Sequence, residues 1–360
     1  MKKWQVGIVG LRRGEGFVRV FGAHPRMEVA ALCDVDERRL AQTARAFELP
    51  DDRSFTHFEE FLTAPVDIVM IATPIAFHAE QTIQSLESGR HVLCEQTAAY
   101  TIEDCERIVE AVKRTGMTYM MAENYCYFHY IRQWKQLIDQ GKLGEIFHAE
   151  GEYVHEIVDL LVDAQTGEYF WRHERPPIWY CAHCIGPLLM LMDDRIVKAC
   201  GSHAGFHVAP EQKDHPGFLD MEVGLFRTAR GALIKILRSQ VARRYPHMVW
   251  YSLYGTKGYV ENGRDGGDGV LFVEDEMSPK DGARPIPCQL GDPDAPEQAG
   301  AGGHGTSEYY LIRDFLDALE SSARPPIDVI RAMDFTVPGI VAHESAMGDG
   351  NWREVPLFDW

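Results

Sequence analysis

A short part of the second half of the chain concentrates side chains that can move protons. His183 opens an apolar helical segment three residues after Tyr180, and Tyr153 and His155 alternate along a predicted strand. An imidazole titrates near neutral pH and can take a proton from a hydroxyl group, and a neighbouring phenol or second imidazole can serve another proton. A structural interpretation stays open, in which His183 caps its helix or satisfies a core hydrogen bond and His155 lies on a solvated strand face.

The same segment raises the question of a metal ion. Cys181, His183 and Cys184 lie close together, with His173 upstream, but this spacing is too crowded for a structural zinc site. Adjacent His and Cys side chains point apart at a helix start, and no second C-x-x-C pairs with them. The sequence therefore predicts no metal site, with a metal held by His155 and His183 as the alternative.

The first strand leads into a turn that could bind a pyrophosphate. Residues 4–10 read WQVGIVG, an apolar run that ends at Gly10, as a buried parallel strand does before a tight turn. The G-x-G-x-x-G pattern of dinucleotide-binding turns fits poorly, because Arg12 and Glu15 occupy the second and third glycine positions unless one residue is missing from the turn. The turn alone is a weak signal.

Asp34 strengthens the dinucleotide hypothesis. It lies at the end of the second predicted strand, where a carboxylate can accept hydrogen bonds from an adenosine ribose and repel a 2′-phosphate. This favours NAD over NADP, although Arg12 and Arg13 near the phosphates and Arg38 near the ribose keep NADP as the less favoured alternative. A structural alternative is that Asp34 and Asp36 only cap the following helix.

The elements that must position these residues alternate regularly in the first third of the chain. Strands are predicted over 4–10, 27–36, 66–74, 91–95 and 117–123, and helices over 17–23, 37–47, 56–63, 76–88 and 101–114. Alternating strands and helices indicate a doubly wound parallel sheet. We assign residues 1–123 to this domain.

The pattern changes after residue 124. A helix is predicted over 128–140, followed by long alternating strands over 146–157, 231–241, 247–262 and 269–276. The last of these is the one strand expected within 263–306, and the rest of that range is predicted to be a long loop. Final helices are predicted over 308–321 and 330–347, the second kinked or broken at Pro338. Residues 124–360 are thus predicted to form an α+β domain with a mostly antiparallel sheet. Because its open face needs cover, we expect a homodimer or homotetramer.

Two strand ends identify a family. The third strand ends in Ile71 to Pro74, with His78 four residues later, and the fourth strand ends in Val92 to Thr97. Two further strings are LGEI at 143–146 and YGTKG at 254–258. With these motifs the sequence resembles the glucose-fructose oxidoreductase / inositol dehydrogenase (Gfo/Idh/MocA) family over essentially its whole length. The resemblance implies an α/β fold, an N-terminal Rossmann sheet plus a C-terminal α+β domain with a large open sheet. Where the family has Glu-Lys-Pro, this chain has Gln96 in place of the lysine that assists proton transfer, and an amide cannot titrate. The base must come from elsewhere, or the protein is not a dehydrogenase.

Further strings are similar to one branch, the NAD-dependent α-N-acetylgalactosaminidases. They are Y-x-x-H-x-x-G-P at 180–187, MMAENYCY at 120–127, GEIFHAEGEYVH at 144–155 and GHG at 303–305. This resemblance implies a redox-assisted elimination, in which a tightly bound and recycled NAD takes hydride from sugar C3, the C2 proton and the aglycone leave, water adds and the hydride returns. It implies His183 as the principal base, with Tyr153, His155 and Tyr180 around it.

The resemblance and the strand ends together give the remaining candidates. The cofactor-binding residues are predicted to be Gly10, Leu11, Arg12, Arg13, Asp34, Arg38, Ala72, Thr73, Pro74, His78, Glu95, Gln96 and Asn124. The substrate-binding residues are predicted to be Gln96, Tyr125, Trp171, Trp179 and His304. Packing is the competing interpretation for the aromatic residues.

Composition narrows the classes of partner and compartment. The 360 residues carry a formal charge of −18 and 45% are hydrophobic, which is typical of a globular protein and opposes binding to nucleic acid or anionic membranes. No apolar stretch approaches the roughly 20 residues of a membrane span, and eight cysteines without framework spacing suit a reducing cytoplasm. We expect a small-molecule glycoside or sugar as substrate, with a conventional NAD(P)-dependent sugar or cyclitol dehydrogenase and a non-catalytic dinucleotide or sugar sensor as alternatives.

Overall fold

The structure, a computed structural model, describes residues 3–246 and 248–360. It divides into two compact units. The first contains the chain up to Phe128 together with Leu290–Met333 and Phe358–Trp360, and the second contains His129–Gln289 and Asp334–Leu357. The predicted boundary between residues 123 and 124 lies close to the point where the chain first passes from one unit to the other, after Phe128. It does not include the later return of Leu290–Met333 to the first unit.

The first unit is built on a six-stranded parallel sheet. Its strands are β1 (Trp4–Val9), β2 (Met27–Cys33), β3 (Ser54–Phe55), β4 (Ile68–Ile71), β5 (His91–Cys94) and β6 (Tyr119–Met121). Their order is β3-β2-β1-β4-β5-β6, so the sheet is doubly wound and the order reverses between β1 and β4. All four residues of β4 are fully buried, as expected for a strand covered on both faces.

Six helices belong to this unit. They are α1 (Leu11–Ala23), α2 (Glu37–Ala46), α3 (Phe58–Phe61), α4 (His78–Glu87), α5 (Ile102–Thr115) and, after the second unit in the chain, α8 (Ser307–Ser321). The helix expected over 17–23 in fact begins at Leu11, directly after the first strand. Only Gly10 therefore separates β1 from α1 at the turn that is expected to bind a pyrophosphate.

The second unit is built on a nine-stranded mixed sheet. Its strands are β7 (Ile146–Val154), β8 (Ile196–His203), β9 (Glu222–Thr228), β10 (Leu233–Ser239), β11 (Met248–Gly255), β12 (Gly258–Glu261), β13 (Gly269–Val273), β14 (Arg284–Ile286) and β15 (Arg353–Glu354). Their order is β14-β13-β12-β11-β7-β10-β9-β8-β15, and every pair is antiparallel except β7 with β10. The predicted mostly antiparallel sheet is confirmed.

One face of this sheet is buried and the other is half-exposed. On β10, Ile234, Ile236 and Arg238 are buried, whereas Leu233 and Leu237 are half-exposed. The helices of the remaining chain are α6 (His129–Asp139), α7 (Ala182–Met192) and α9 (Val329–Ala346). No helix among the described residues has the length and hydropathy that crossing a bilayer requires.

Several predicted elements need correction. The strand predicted over 247–262 is a hairpin of β11 and β12, because the chain reverses between Gly255 and Gly258; its first residue, His247, lies outside the described residues. Strands β8 and β9 were not predicted, and 263–306 contains β13 and β14 instead of one strand. Of the predicted kink or break at Pro338, the break does not occur, because helix α9 continues from Val329 to Ala346.

Candidate active-site residues in the two units

Gly10 connects β1 to α1 in a conformation that glycine tolerates best. Its φ is +86°, and a Cβ there would lie 2.7 Å from the carbonyl carbon and oxygen of Ala72 and the nitrogen of Thr73. The ends of β1 and β4 thus approach each other where the strand order reverses. The N-terminus of α1 at this edge is a favourable place for a phosphate group.

The poor match of the glycine pattern has a simple structural explanation. A Cβ on Gly14 would lie 2.8 Å from Cγ2 of Ile8, so Gly14 allows α1 to pack closely on β1. This is the role of the last glycine in G-x-G-x-x-G. It occurs here four residues after Gly10 instead of five, as expected if one residue is missing from the turn.

Asp34 and Asp36 have different roles. Asp34 accepts hydrogen bonds from the backbone nitrogens of Leu11 (2.6 Å) and Asp36 (2.8 Å), whereas Asp36 caps α2 by accepting from the nitrogen of Arg39 (3.0 Å). Capping therefore explains Asp36 but not Asp34, which is directed toward the N-terminus of α1. Arg38 is exposed, and Arg39, which the sequence interpretation omitted, has Nη1 3.7 Å from Oδ1 of Asp34.

His78 connects two of the predicted cofactor-binding loops. Its Nδ1 lies 2.8 Å from the carbonyl oxygen of Thr97, and its Nε2 lies 2.9 Å from that of Thr73. The ring is buried, and burial lowers its pKa. His78 thus positions the chain after β4 and β5, next to Pro74 and Gln96.

Glu308 gathers several of the predicted residues. Its carboxylate lies 2.6 Å from Nδ1 of His304, 3.5 Å from Nδ2 of Asn124 and 3.7 Å from Nη2 of Arg13, whose Nε is 2.7 Å from Glu95. Burial opposes ionisation, but His304 and Arg13 hold the pKa of Glu308 below its usual value. Sequence reasoning missed Glu308, although its spacing of four from His304 at the start of α8 was a usable signal.

Glu123 is a second buried carboxyl group in this unit. Its Oε1 accepts a hydrogen bond from the nitrogen of Tyr125 at 3.1 Å. Burial raises the pKa of Glu123 to about 8, so its neutral form predominates at pH 7. The ring of Tyr125 packs against Phe128 and His304, with centroids 4.5 and 5.9 Å away.

The second unit brings together the four predicted catalytic residues. The ring centroid of His183 lies 5.4 Å from that of Tyr153 and 5.2 Å from that of Tyr180, both edge to face. The hydroxyl oxygen of Tyr153 is 2.7 Å from Nδ1 of His155. The imidazole and the two phenols thus lie in one cluster, and an imidazole can exchange a proton with a bound hydroxyl group.

The backbone around this cluster is held by buried contacts. Glu222 accepts a hydrogen bond from the nitrogen of Ile178 (2.8 Å) and pairs with Nδ1 of His343 (2.6 Å), which fixes the segment leading to Tyr180. The hydroxyl of Tyr251 donates to the carbonyl oxygen of His183. The first turn of α7 is therefore anchored from β11.

Two buried arginines flank the phenols. The guanidinium carbon of Arg175 lies 3.8 Å from the ring centroid of Tyr180, and that of Arg238 lies 4.3 Å from the ring centroid of Tyr153. Both residues are 1% exposed. Burial lowers the pKa of Arg175 to about 9, and the charges of Arg238 and Arg172 contribute in the same direction. The sequence analysis singled out neither arginine. For Arg238 the available signal was its place in the alternation of β10, on the same face as the buried Ile234 and Ile236.

The two predicted tryptophans are found in different environments. The guanidinium carbons of Arg172 and Arg175 lie 4.4 and 5.7 Å from the ring of Trp171, on the Tyr180 side of the cluster. Trp179 instead packs edge to face against His343, at 5.9 Å. Trp171 is therefore the better candidate for contact with a substrate.

The residues at the edge of the first sheet fit NAD. The N-terminus of α1, the close approach at Gly10 and the carboxylate of Asp34 provide a phosphate site and a ribose acceptor at the place where the strand order reverses. In residues 3–246 and 248–360, no group of three or more His, Cys, Asp or Glu side chains is arranged to hold a metal ion.

Comparison with known proteins identifies both units. Residues 4–123 match the family described as "Oxidoreductase family, NAD-binding Rossmann fold", and residues 131–261 match the GFO/IDH/MocA C-terminal domain. The N-terminal part of the chain is therefore an NAD-binding Rossmann domain. The two matches together span well over half of the chain.

Full-length relatives and solved structures agree with this assignment. A glycosyl hydrolase family 109 protein of Shewanella pealeana is 26% identical over 393 residues, which cover 98% of this chain and 85% of that protein. An oxidoreductase domain protein from Kribbella flavida superposes with a TM-score of 0.84 at 20% identity, over 99% of this chain and all of that one. Levoglucosan dehydrogenase, solved with NADH and L-sorbose, superposes with a TM-score of 0.85 at 19% identity, with the same coverage.

Proposed function

Because the chain belongs to the GFO/IDH/MocA family of oxidoreductases, we propose that it is an NAD-dependent redox glycosidase. The observation that carries the proposal is the cluster of His183 with Tyr153 and Tyr180, at 5.4 and 5.2 Å between ring centroids. Gln96, in the place of the family's lysine, cannot transfer a proton. The glycosyl hydrolase family 109 relatives, 26% identical over nearly the whole chain, support the glycosidic substrate.

The first unit provides the cofactor-binding residues in this proposal. Arg12, at the start of α1, binds the pyrophosphate, and Asp34, which also accepts from the backbone nitrogen of Leu11, accepts from the adenosine ribose and disfavours NADP. Ala72, Thr73, Pro74 and Gln96 line the ends of β4 and β5, whose loops His78 holds. Bound NAD⁺ supplies a reversible hydride acceptor for a sugar carbon.

The second unit provides the proton chemistry. His183 takes the proton of the sugar hydroxyl that is oxidised, and Tyr153, linked to His155 at 2.7 Å, and Tyr180 serve the C2 proton and the leaving group. Trp171 contacts the sugar. No paired carboxylates are required, in contrast to ordinary glycosidases.

A chromogenic glycoside tests the proposal. Purified protein is incubated with 4-nitrophenyl 2-acetamido-2-deoxy-α-D-galactopyranoside and other nitrophenyl glycosides while nitrophenol and NADH absorbance are recorded. We expect nitrophenol without net NADH, and loss of at least 100-fold in rate for His183→Ala. His207→Ala is the matched control, because the side chain of His207 is 78% exposed and pairs with Asp220.

Other outcomes identify the alternatives. Stoichiometric NADH release from a free sugar or cyclitol would indicate a conventional dehydrogenase, the second candidate, which family membership also favours. A protein that neither retains nor binds NAD would indicate a non-catalytic sensor.

We also propose that the half-exposed face of the nine-stranded sheet is a subunit interface. Tyr254, Tyr259 and Phe272 stack on neighbouring strands of this face, with centroids 5.8 and 6.3 Å apart. Apolar sheet faces of this kind favour association. Light scattering after gel filtration is expected to give a homodimer or homotetramer.

A cytoplasmic location completes the proposal. Cys33, Cys94, Cys105, Cys126, Cys200 and Cys288 are thiols outside any disulfide. Thiols in this number suit a reducing compartment. Fractionation of the source cells would test it.

A further inference from the structure

The second unit buries two cations behind the candidate catalytic phenols. Arg175 and Arg238 are each 1% exposed, and within residues 3–246 and 248–360 neither forms a salt bridge. Nε and Nη1 of Arg175 are buried without a hydrogen-bond partner among these residues. In a chain of net charge −18, two uncompensated cations in one place are notable.

Other arginines of the same unit show the usual solution. Arg195 pairs with Asp334 at 3.0 Å, and Arg264 pairs with Glu152 through two hydrogen bonds of 2.8 Å. A buried charge without such a partner costs free energy, so it is retained where an anion, permanent or transient, offsets it.

The arginines are not presented for direct binding of an anionic ligand. Arg175 donates from Nη2 to Gln240 at 2.6 Å and faces the ring of Tyr180, and Arg238 donates to the backbone carbonyls of Tyr153 (3.1 Å), Tyr180 (3.4 Å) and Ser239. Both guanidinium groups are buried, so a ligand does not reach Nε and Nη1 of Arg175, which lack a hydrogen-bond partner among the described residues. Their effect on a ligand beyond the phenols is therefore through space.

We propose that Arg175 and Arg238 are positioning residues that hold Tyr180 and Tyr153 and stabilise the negative charge that develops on the sugar when its C2 proton is removed. This inference rests on the proposed redox-glycosidase function. The guanidinium carbons lie 3.8 and 4.3 Å from the ring centroids of the two phenols that flank His183, so their field acts on an anion formed beside that imidazole.

The step that they assist is balanced as follows. In the C3 ketone, the base takes the C2 proton, and the electron pair of the C2–H bond moves into an enolate whose charge resides on the C3 oxygen. The C2 pair then forms the C1–C2 double bond while the C1–O bond breaks, and the aglycone leaves with the electron pair of the C1–O bond and receives a proton. The enolate is the anion that the two cations stabilise.

Charge-removing and charge-retaining variants separate this role from packing. Arg175→Met and Arg238→Met remove the charge at similar length, and Arg175→Lys and Arg238→Lys retain it. The substrate is the nitrophenyl glycoside that the wild-type enzyme cleaves, unlabelled or deuterated at C2. We expect each Met variant to lower kcat about 10- to 100-fold and to raise the C2-deuterium isotope effect, and each Lys variant to restore most of both.

Stability provides a readout that is independent of turnover. Because Arg175 donates a single side-chain hydrogen bond in the described part of the chain and its charge is uncompensated there, we expect Arg175→Met to unfold at the wild-type temperature or above. Arg238→Met removes the donor to the carbonyls of Tyr153, Tyr180 and Ser239, so it is expected to unfold at a lower temperature. The matched control is Arg195→Met, which removes one partner of the Asp334 pair. It is expected to lower the unfolding temperature and to leave the isotope effect unchanged.

The possible results separate the two levels of the proposal. A wild-type enzyme that cleaves no glycoside overturns the proposed function, and this inference with it. A wild-type enzyme that cleaves, combined with Met variants that fail to fold, show an unchanged isotope effect or gain nothing from Lys, overturns only the role of the arginines.

Discussion

At the scale of single residues, Glu123 shows how burial changes the chemistry that a residue name suggests. Its folded pKa is raised from 4.5 to about 8 by burial, so the folded protein keeps a proton that the unfolded chain releases. The stability contribution of this group is fully present below pH 4.5 and is lost as the pH rises toward 8.

We predict that Glu123→Gln stabilises the protein at neutral pH. The amide keeps an acceptor for the nitrogen of Tyr125. It also removes the free-energy cost, about 3 kcal/mol at pH 7, of binding a proton to this carboxyl group when the protein folds. Urea unfolding at pH 5 and pH 8 measures the effect, which should be larger at pH 8. An equal effect at both pH values would contradict the neutral carboxyl.

Asp34 is predicted to set the cofactor preference. We expect Asp34→Ser to weaken NADH binding at least tenfold and to narrow the preference over NADPH, because the ribose acceptor and the repulsion of a 2′-phosphate are both lost. Fluorescence titration with each cofactor measures the ratio. Asp36→Ser is the control; serine keeps an N-cap acceptor for the nitrogen of Arg39, so this variant should leave both α2 and the ratio unchanged.

The candidate residues could be selected from the sequence where they belong to a motif, but not where their surroundings in the folded protein decide their role. His183, Tyr153, His155 and Tyr180 followed from their motifs, and the structure places them together in one unit. Arg175 belongs to no motif, and its role depends on rings and strands brought near it by the fold.

At the scale of elements, α1 depends on one glycine for its distance from the sheet. We predict that Gly14→Ala destabilises the protein by about 1–3 kcal/mol, because a methyl group would overlap Cγ2 of buried Ile8. The change is measured as the midpoint of urea unfolding.

The same helix provides the control. Gly22 is exposed, and a Cβ there would meet only Phe47, at 4.0 Å. Gly22→Ala is therefore expected to stabilise the helix by up to about 1 kcal/mol. Destabilisation by both variants would show that α1 does not depend on close packing at Gly14.

The elements missed in the sequence have a physical explanation. The buried face of β9 carries Glu222 and Gly224 as well as Phe226, while its half-exposed face carries Val223 and Leu225, so apolar residues occur on both faces and give no clear alternation. Glu222 is buried because it binds Ile178 and His343, both distant in the sequence. The parallel pairing of β7 with β10 likewise depends on tertiary contacts, not on local pattern.

At the scale of the whole molecule, the chain returns to its first unit after building the second. Residues 290–333, predicted to lie in the second domain, group with the Rossmann sheet, and they carry His304 and Glu308 next to Arg13. Local periodicity predicted their helix correctly but contains no information on which sheet it joins. The presence of one parallel and one mostly antiparallel sheet, by contrast, follows from the alternation of strands and helices along the chain.

The central claim is that oxidation at C3 is transient and that the C2 proton is lost in every turnover. The most direct test is the proton NMR spectrum of the free sugar that the wild-type enzyme releases from a nitrophenyl glycoside in D₂O. The account predicts deuterium at C2, hydrogen retained at C3 and no net NADH. A released sugar that retains hydrogen at C2 would contradict it, because hydrolysis would then proceed without elimination.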